Sequence, residues 1–132
     1  MKQDATDEPR PSSDSEALDA LPVFDPAALE RVTGGDQGLM RDVVEAYFEA
    51  IPDLARDVAE ALGSRALDRA ARSAHSIKGA AANLGAERLR CVAAAIEAAA
   101  AAADFARCAA WAGRIDDELD RLAEALSAFP VA

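Results

Sequence analysis

The chain has 132 residues, of which 52% are apolar, 5% are aromatic and 35 are alanine. Because alanine is the best helix former and strand-forming residues are sparse, this composition predicts a single all-helical domain. The formal net charge of −10 at pH 7 argues against binding to nucleic acid or to an anionic membrane, since both need a concentrated basic face.

The N-terminal residues lack the apolar run of a signal peptide, and no apolar stretch is long enough to cross a bilayer. The sequence therefore predicts a cytoplasmic protein. Its two cysteines, Cys91 and Cys108, fall in helical patterns. In a reducing compartment we expect them to be buried thiols, with a disulfide as the alternative.

The first segment, residues 1–21, is rich in acidic residues, serine and proline and has almost nothing to bury. Such a composition cannot offset the entropy lost on ordering, so we expect a flexible acidic tail. The folded domain is expected over residues 22–132. It opens with a short helix that Asp25 caps, with Pro26 at its first position, and that ends at Gly34.

Four longer helices are expected to follow, each with apolar residues three and four positions apart. The first spans residues 36–61, where Pro52 should kink or briefly break it, and Gly63 ends it. The others are expected to span residues 64–84, 86–103 and 104–126. Gly85 is the expected cap at the end of the second, and Asp104 is the expected N-cap of the last.

Long helices joined by very short loops must alternate in direction. The predicted fold class is therefore all-α: an antiparallel up-down-up-down four-helix bundle with a short leading helix and a flexible N-terminal tail. The apolar stripes are rich in alanine, which would let the axes of neighbouring helices approach to about 8 Å.

The single histidine, His75, lies in the stretch AHSIKGAAANLG of the second long helix. At about 100° per residue, its side chain points away from the apolar stripe, as do Arg72 and Gly79, while Lys78 lies on the flank. Lys78 is expected to favour the neutral, nucleophilic imidazole and to neutralise an anion bound there. An exposed glycine within a helix costs about 1 kcal/mol relative to alanine, so Gly79 is expected to clear space for a partner.

Other kinds of site lack the residues that they need. Metal binding requires several ligands, and the chain has no second histidine, so we predict no metal site. Ser73 and Ser76 diverge around the helix, which argues against a nucleophilic triad, and the chain has no phosphate-binding loop for ATP. A lone surface histidine often has no function, but a nucleophile without a nucleotide pocket is also typical of a group carrier.

Residues 74–86 resemble the signature of the histidine-containing phosphotransfer (Hpt) domain, A-H-[ST]-L-K-G-[SA]-x-x-x-[LIV]-G-A, with Ile77 in place of the commoner leucine. The resemblance extends over about residues 22–127. It implies that His75 accepts a phosphoryl group from a receiver-domain aspartate and passes it to another receiver. It also implies that Lys78 stabilises the phosphoryl group and that Gly79 gives the receiver room to dock.

The resemblance further implies the partners, which are response-regulator receiver domains and a hybrid histidine kinase of bacterial two-component phosphorelays. The Mg²⁺ for transfer would lie on the partner receiver, so no cofactor is expected on this chain. The protein would be a phosphoryl carrier rather than an enzyme, and we expect a monomer.

The docking surface is expected to surround His75. On the same helix, the candidates are Arg72, Ser76 and Ala82. On the preceding helix, the candidates are Leu39, Tyr47 and Phe48. Tyr47 falls on the apolar stripe and is rather expected in the core.

Two other functions stay open at this point. The first is a helical adaptor that binds a receiver or a histidine kinase without carrying phosphate, and the second is a purely structural bundle. Both are disfavoured by the intact group of His75, Lys78 and Gly79, since neither function needs a nucleophile.

Overall fold

The computed structural model of the protein describes residues 17–128. Over this range the chain is helical and has no strand, which confirms the all-helical prediction. After a helical turn at residues 17–19, the helices are α1 (Pro26–Thr33), α2 (Gln37–Gly63), α3 (Leu67–Leu84), α4 (Glu87–Ala101), α5 (Phe105–Ala112) and α6 (Ile115–Ser127).

Local sequence determines where several helices begin and end. The carboxylate of Asp25 accepts a hydrogen bond from the Ala27 N–H at 3.1 Å, and that of Asp104 accepts one from the Arg107 N–H at 3.1 Å. Gly85 follows α3 in the left-handed conformation, with φ 79°. A side chain there would also collide with the backbone of Asp25, whose N–H donates to the Gly85 carbonyl at 2.7 Å. These contacts confirm the three predicted caps.

Helix α2 is continuous through Pro52, so the break that was one predicted outcome does not occur. A proline inside a helix removes one backbone donor and is normally costly. Ile51 and Val58 lie on either side of it along the core face, and both are fully buried. Because tertiary packing supplies most of the stability of a helix, these contacts hold the 27 residues of α2 in one helix.

The predicted last helix, residues 104–126, is not one continuous helix but consists of two segments, α5 and α6. They meet at Gly113 and Arg114, where the Arg114 N–H bonds to the Trp111 carbonyl at 3.0 Å, three residues back. This tighter turn interrupts the α-helical pattern. Buried side chains continue on both sides of the turn: Cys108, Ile115 and Leu122.

Helix α3 is central and packs against α1, α2 and α4. Helix α4 also packs against α5 and α6, and α5 packs against α2. Helices α2 and α3 run in opposite directions. Their contacts show this, because Tyr47 near the start of α2 bonds to Asn83 near the end of α3, and Asp57 bonds to Ser73. One face of α3 is therefore enclosed on three sides, and the opposite face is left exposed.

Leu18 belongs to the core, since its side chain is only 1% exposed. The guanidinium of Arg88 donates to the Leu18 carbonyl at 3.2 Å and to the carboxylate of Asp19 at 3.0 Å. Arg88 also forms a buried ion pair with Glu118, with 2.9 Å between Nε and Oε1. Residues 17–19 are thus held against α4 and α6.

The predicted tail of residues 1–21 is therefore too long at its C-terminal end. The sequence pattern missed this because a single buried leucine leaves no periodic signal. The remainder of the predicted tail, residues 1–16, lies outside the described residues, as do residues 129–132.

Both cysteines are free thiols. Cys108 is buried, and its burial raises the pKa of the thiol, while Cys91 is partly buried. Within residues 17–128, no helix combines the length and the hydropathy that a membrane span requires.

We predict that Leu18→Ala lowers the free energy of unfolding by about 3 kcal/mol, because it leaves a cavity in the core. Urea denaturation followed by circular dichroism measures the change. Leu39→Ala is the matched control, since Leu39 is 45% exposed and its truncation should change stability little. Equal effects of the two substitutions would show that residue 18 is not part of the core.

Candidate functional site

His75 lies in the middle of α3 on the face that points away from the core. Its side chain is 69% exposed, whereas the neighbouring Ala74 and Ile77 are fully buried. Arg72 and Gly79 are also exposed, and Lys78 is intermediate. The orientations predicted from the helical period are confirmed for all four residues of this patch.

A carboxylate from α4, which the sequence pattern did not single out, meets the imidazole. Glu97 Oε2 lies 2.9 Å from His75 Nδ1, and Glu97 Oε1 lies 2.6 Å from Lys78 Nζ. The Glu97 side chain is 24% exposed, so the carboxylate lies partly inside the contact between α3 and α4. One acidic group therefore holds two side chains of the predicted site.

Glu97 is ionised in this arrangement. Burial by itself would raise its pKa, but hydrogen bonds from Lys78 and then from His75 outweigh burial and hold the pKa below its ordinary value of 4.5. The stability that these bonds contribute is thus fully present above about pH 4.5 and is lost as the pH falls through the lowered pKa.

The charge of Glu97 determines which nitrogen of the ring carries the proton. An ionised carboxylate can only accept hydrogen bonds, so in the neutral imidazole the proton lies on Nδ1 of His75 and points to Glu97. The lone pair then lies on Nε2. The arrangement presents a nucleophilic nitrogen of fixed orientation at the protein surface.

Lys78 has a partner inside the protein that its position in the sequence did not predict. Its ammonium group is bound to Glu97, and its side chain is 35% exposed. The expected contact between Lys78 and a bound phosphoryl group stays a prediction. The structure adds that Lys78 contacts Glu97, which in turn contacts His75. Lys78 therefore acts on the imidazole through Glu97.

An open groove of about 410 Å³ lies beside the imidazole. Its lining residues are Ala71, Arg72, His75, Ser76 and Glu97. Arg72 and Ser76 are exposed, so two of the three predicted docking residues of α3 lie at the same opening as His75. The third, Ala82, is exposed two turns further along the same face of α3.

The candidates on α2 lie in different places. Tyr47 is partly buried, and its hydroxyl accepts a hydrogen bond from the amide of Asn83 at 2.7 Å. Phe48 lines a groove together with Leu119 of α6, so it faces the other side of α2. Leu39 is 45% exposed near the start of α2. None of these three lines the groove beside His75.

A polar network lies behind the site, between α2 and α3. The hydroxyl of the buried Ser73 donates to Asp57, which also accepts a bond from Arg69 Nε at 2.9 Å. The bonds from Arg69 and then from Ser73 lower the pKa of Asp57. Ser73 therefore points away from His75 and Ser76 lies on the surface, which confirms that the two serines diverge.

Gly79 is exposed, and a Cβ added there would meet no atom within 4 Å. The packing of residues 17–128 therefore gives no reason for glycine at this position. The open space is consistent with the predicted clearance for a partner.

We predict that Gly79→Ala raises the free energy of unfolding by about 1 kcal/mol, because alanine is the better residue inside a helix. Gly85→Ala is the contrasting control and should lower it, since φ is 79° there and the Asp25 backbone blocks a side chain. Urea denaturation of both variants tests the pair. A loss of stability in both would mean that Gly79 serves the fold.

The chain was compared with known proteins. The family model described as the Hpt domain matches residues 42–125, which is more than half of the chain and includes His75, Lys78, Gly79 and Glu97. Hpt domains take part in phosphotransfer in phosphorelays as phosphoryl carriers. No curated protein and no solved structure matches the chain. On the family match, this protein belongs to the Hpt domain family.

Proposed function

We propose that the protein is a phosphorelay intermediate, in which His75 accepts a phosphoryl group from the aspartate of one receiver domain and passes it to the aspartate of another. One observation carries this proposal: an exposed imidazole that lines an open groove and whose Nδ1 is held by the ionised Glu97, so that the lone pair lies on Nε2. Family membership indicates the type of chemistry.

In the accepting step, the lone pair of His75 Nε2 attacks the phosphorus of the aspartyl phosphate. The N–P bond forms as the P–O bond breaks, and the electron pair of that bond leaves with the carboxylate of the receiver. The ring gains positive charge, which Glu97 faces at 2.9 Å from Nδ1. The donating step is the reverse.

The transition state of such a transfer is loose, so catalysis depends mainly on positioning and charge. This chain would supply a nucleophile of fixed tautomer and orientation. Lys78 would support it by keeping Glu97 ionised, and Gly79 would leave room for the active site of the receiver. The Mg²⁺ would be supplied by the receiver, so the protein would act as a carrier rather than as an enzyme.

We further propose that the fold is an up-down-up-down four-helix bundle in which α5 and α6 together form one interrupted fourth helix. The opposite directions of α2 and α3 and the return of α5 to α2 support this. The proposed partners are receiver domains and a hybrid histidine kinase, and the protein would meet them as a monomer in the cytoplasm.

Incubation with a phosphorylated receiver domain should place an acid-labile, base-stable phosphoryl group on the protein. His75→Gln should abolish the label, because no other imidazole exists in the chain. Gly79→Arg should stay folded but lose most of the transfer, since an arginine side chain would occupy the docking space. The measurement is the transfer of radiolabelled phosphate between the two purified proteins.

A label that persists in His75→Gln would show that another residue is the acceptor. If the wild-type protein takes no label and binds the receiver equally well as His75→Ala, the protein is the adaptor that the sequence left open.

We predict that Glu97→Gln slows phosphoryl transfer by about 10- to 100-fold, the usual effect of removing the partner that orients an imidazole. Glutamine keeps the shape of the Glu97 side chain but lacks the negative charge that holds the proton on Nδ1 of His75. Long-range ¹H–¹⁵N NMR should show a single ring tautomer in the wild type and a mixture in the variant. Glu87→Gln, which removes another carboxylate of α4, is the control, and equal rates in both variants would contradict the role of Glu97.

A further inference from the structure

We infer that Arg72, rather than Lys78, is the cation that contacts the phosphoryl group on His75. This inference rests on the proposed function and assigns the anion-binding side of the same site. It differs from the role that the sequence resemblance implies for Lys78.

Lys78 already has an anion to neutralise. Its ammonium group lies 2.6 Å from Glu97, whose side chain is only 24% exposed. If Lys78 turned to a phosphoryl group, this partly buried carboxylate would lose its cation, which is costly. Without Lys78, the Glu97 carboxylate would also be held less firmly as the acceptor of the proton on His75 Nδ1. The charge of Lys78 is therefore committed to Glu97.

Arg72 has no such ion pair, and its charge only adds to the stronger effects of Arg69 and Ser73 that lower the pKa of Asp57. Of the three basic residues of α3, Arg69 is paired with Asp57 and Glu60, and Lys78 is paired with Glu97. Arg72 is exposed and forms no hydrogen bond or ion pair within residues 17–128. It is the basic residue of α3 with an available guanidinium group.

Arg72 also lies close to His75. It precedes His75 by three residues, so the two side chains are neighbours on the helix surface, with about 5–6 Å between their Cβ atoms. Both line the open groove of about 410 Å³, and Lys78 does not. A phosphoryl group on Nε2 would project on this side, where a planar guanidinium can bind two of its oxygens.

The charges at the groove require a second cation. A phosphoryl group adds close to two negative charges at neutral pH, next to the ionised Glu97 that lines the same groove. Lys78 offsets the charge of Glu97 alone. Arg72 is the positive charge that remains to offset the phosphoryl group.

The test is ³¹P NMR of protein phosphorylated on His75 with phosphoramidate, a small donor whose P–N bond breaks with release of ammonia as Nε2 binds phosphorus. A nearby cation favours the doubly charged phosphoryl group and so lowers the pH at which it titrates. Arg72→Ala should raise the titration midpoint by about 0.5 to 1 pH unit, and Arg72→Lys should retain most of the effect. Arg56→Ala, an exposed arginine of α2, is the charge-matched control and should not move it.

The possible outcomes separate the two proposals. Wild-type protein that takes no phosphoryl group on His75, either from phosphoramidate or from a phosphorylated receiver domain, would contradict the proposed function. Phosphorylated wild type and Arg72→Ala with the same midpoint would contradict the inference alone. A titration midpoint that rises in Lys78→Ala and stays unchanged in Arg72→Ala would show that Lys78 is the cation that contacts the phosphoryl group.

Discussion

The site depends on the close contact between α3 and α4. Both helices bury small side chains, among which Ala74 and Ala81 of α3 and Ala93 of α4 are fully buried. Small residues let two helices approach closely, and this closeness lets Glu97 on α4 reach both His75 and Lys78 on α3. With bulky residues at these positions, the carboxylate would stand too far from the imidazole to hold its proton.

The ionic contacts that join α4 to α6 and to α3 differ in burial and in purpose. Arg88 and Glu118 have side chains that are 7% and 1% exposed, and they tie α4 to α6 and to the N-terminal residues of the described chain. Glu97 lies at the edge of the core, where its partner His75 is 69% exposed. The first contact stabilises the arrangement of helices, and the second holds Nδ1 of the imidazole while the His75 side chain as a whole stays largely exposed.

The demands of fold and of function fall on different faces of α3. The core face is apolar and packed, and Gly85 at its end is required by the left-handed backbone and by the approach of Asp25. The exposed face carries Arg72, His75 and Gly79, none of which the packing requires. Substitutions on this face should therefore leave the bundle folded, so that their effect on the proposed phosphoryl transfer can be measured separately from their effect on stability.

The sequence by itself determined the helical class, the caps at Asp25, Gly85 and Asp104, and the outward direction of His75, because these depend on residues within one or two helical turns of each other. Only the tertiary structure decided that α2 continues through Pro52, that the last helix divides at Gly113 and that Leu18 joins the core. The same holds for Glu97, which lies on a different helix from His75. Periodicity defines the buried face of each helix, but not the depth and rotation at which two helices meet, and it is this packing that brings the carboxylate to the imidazole.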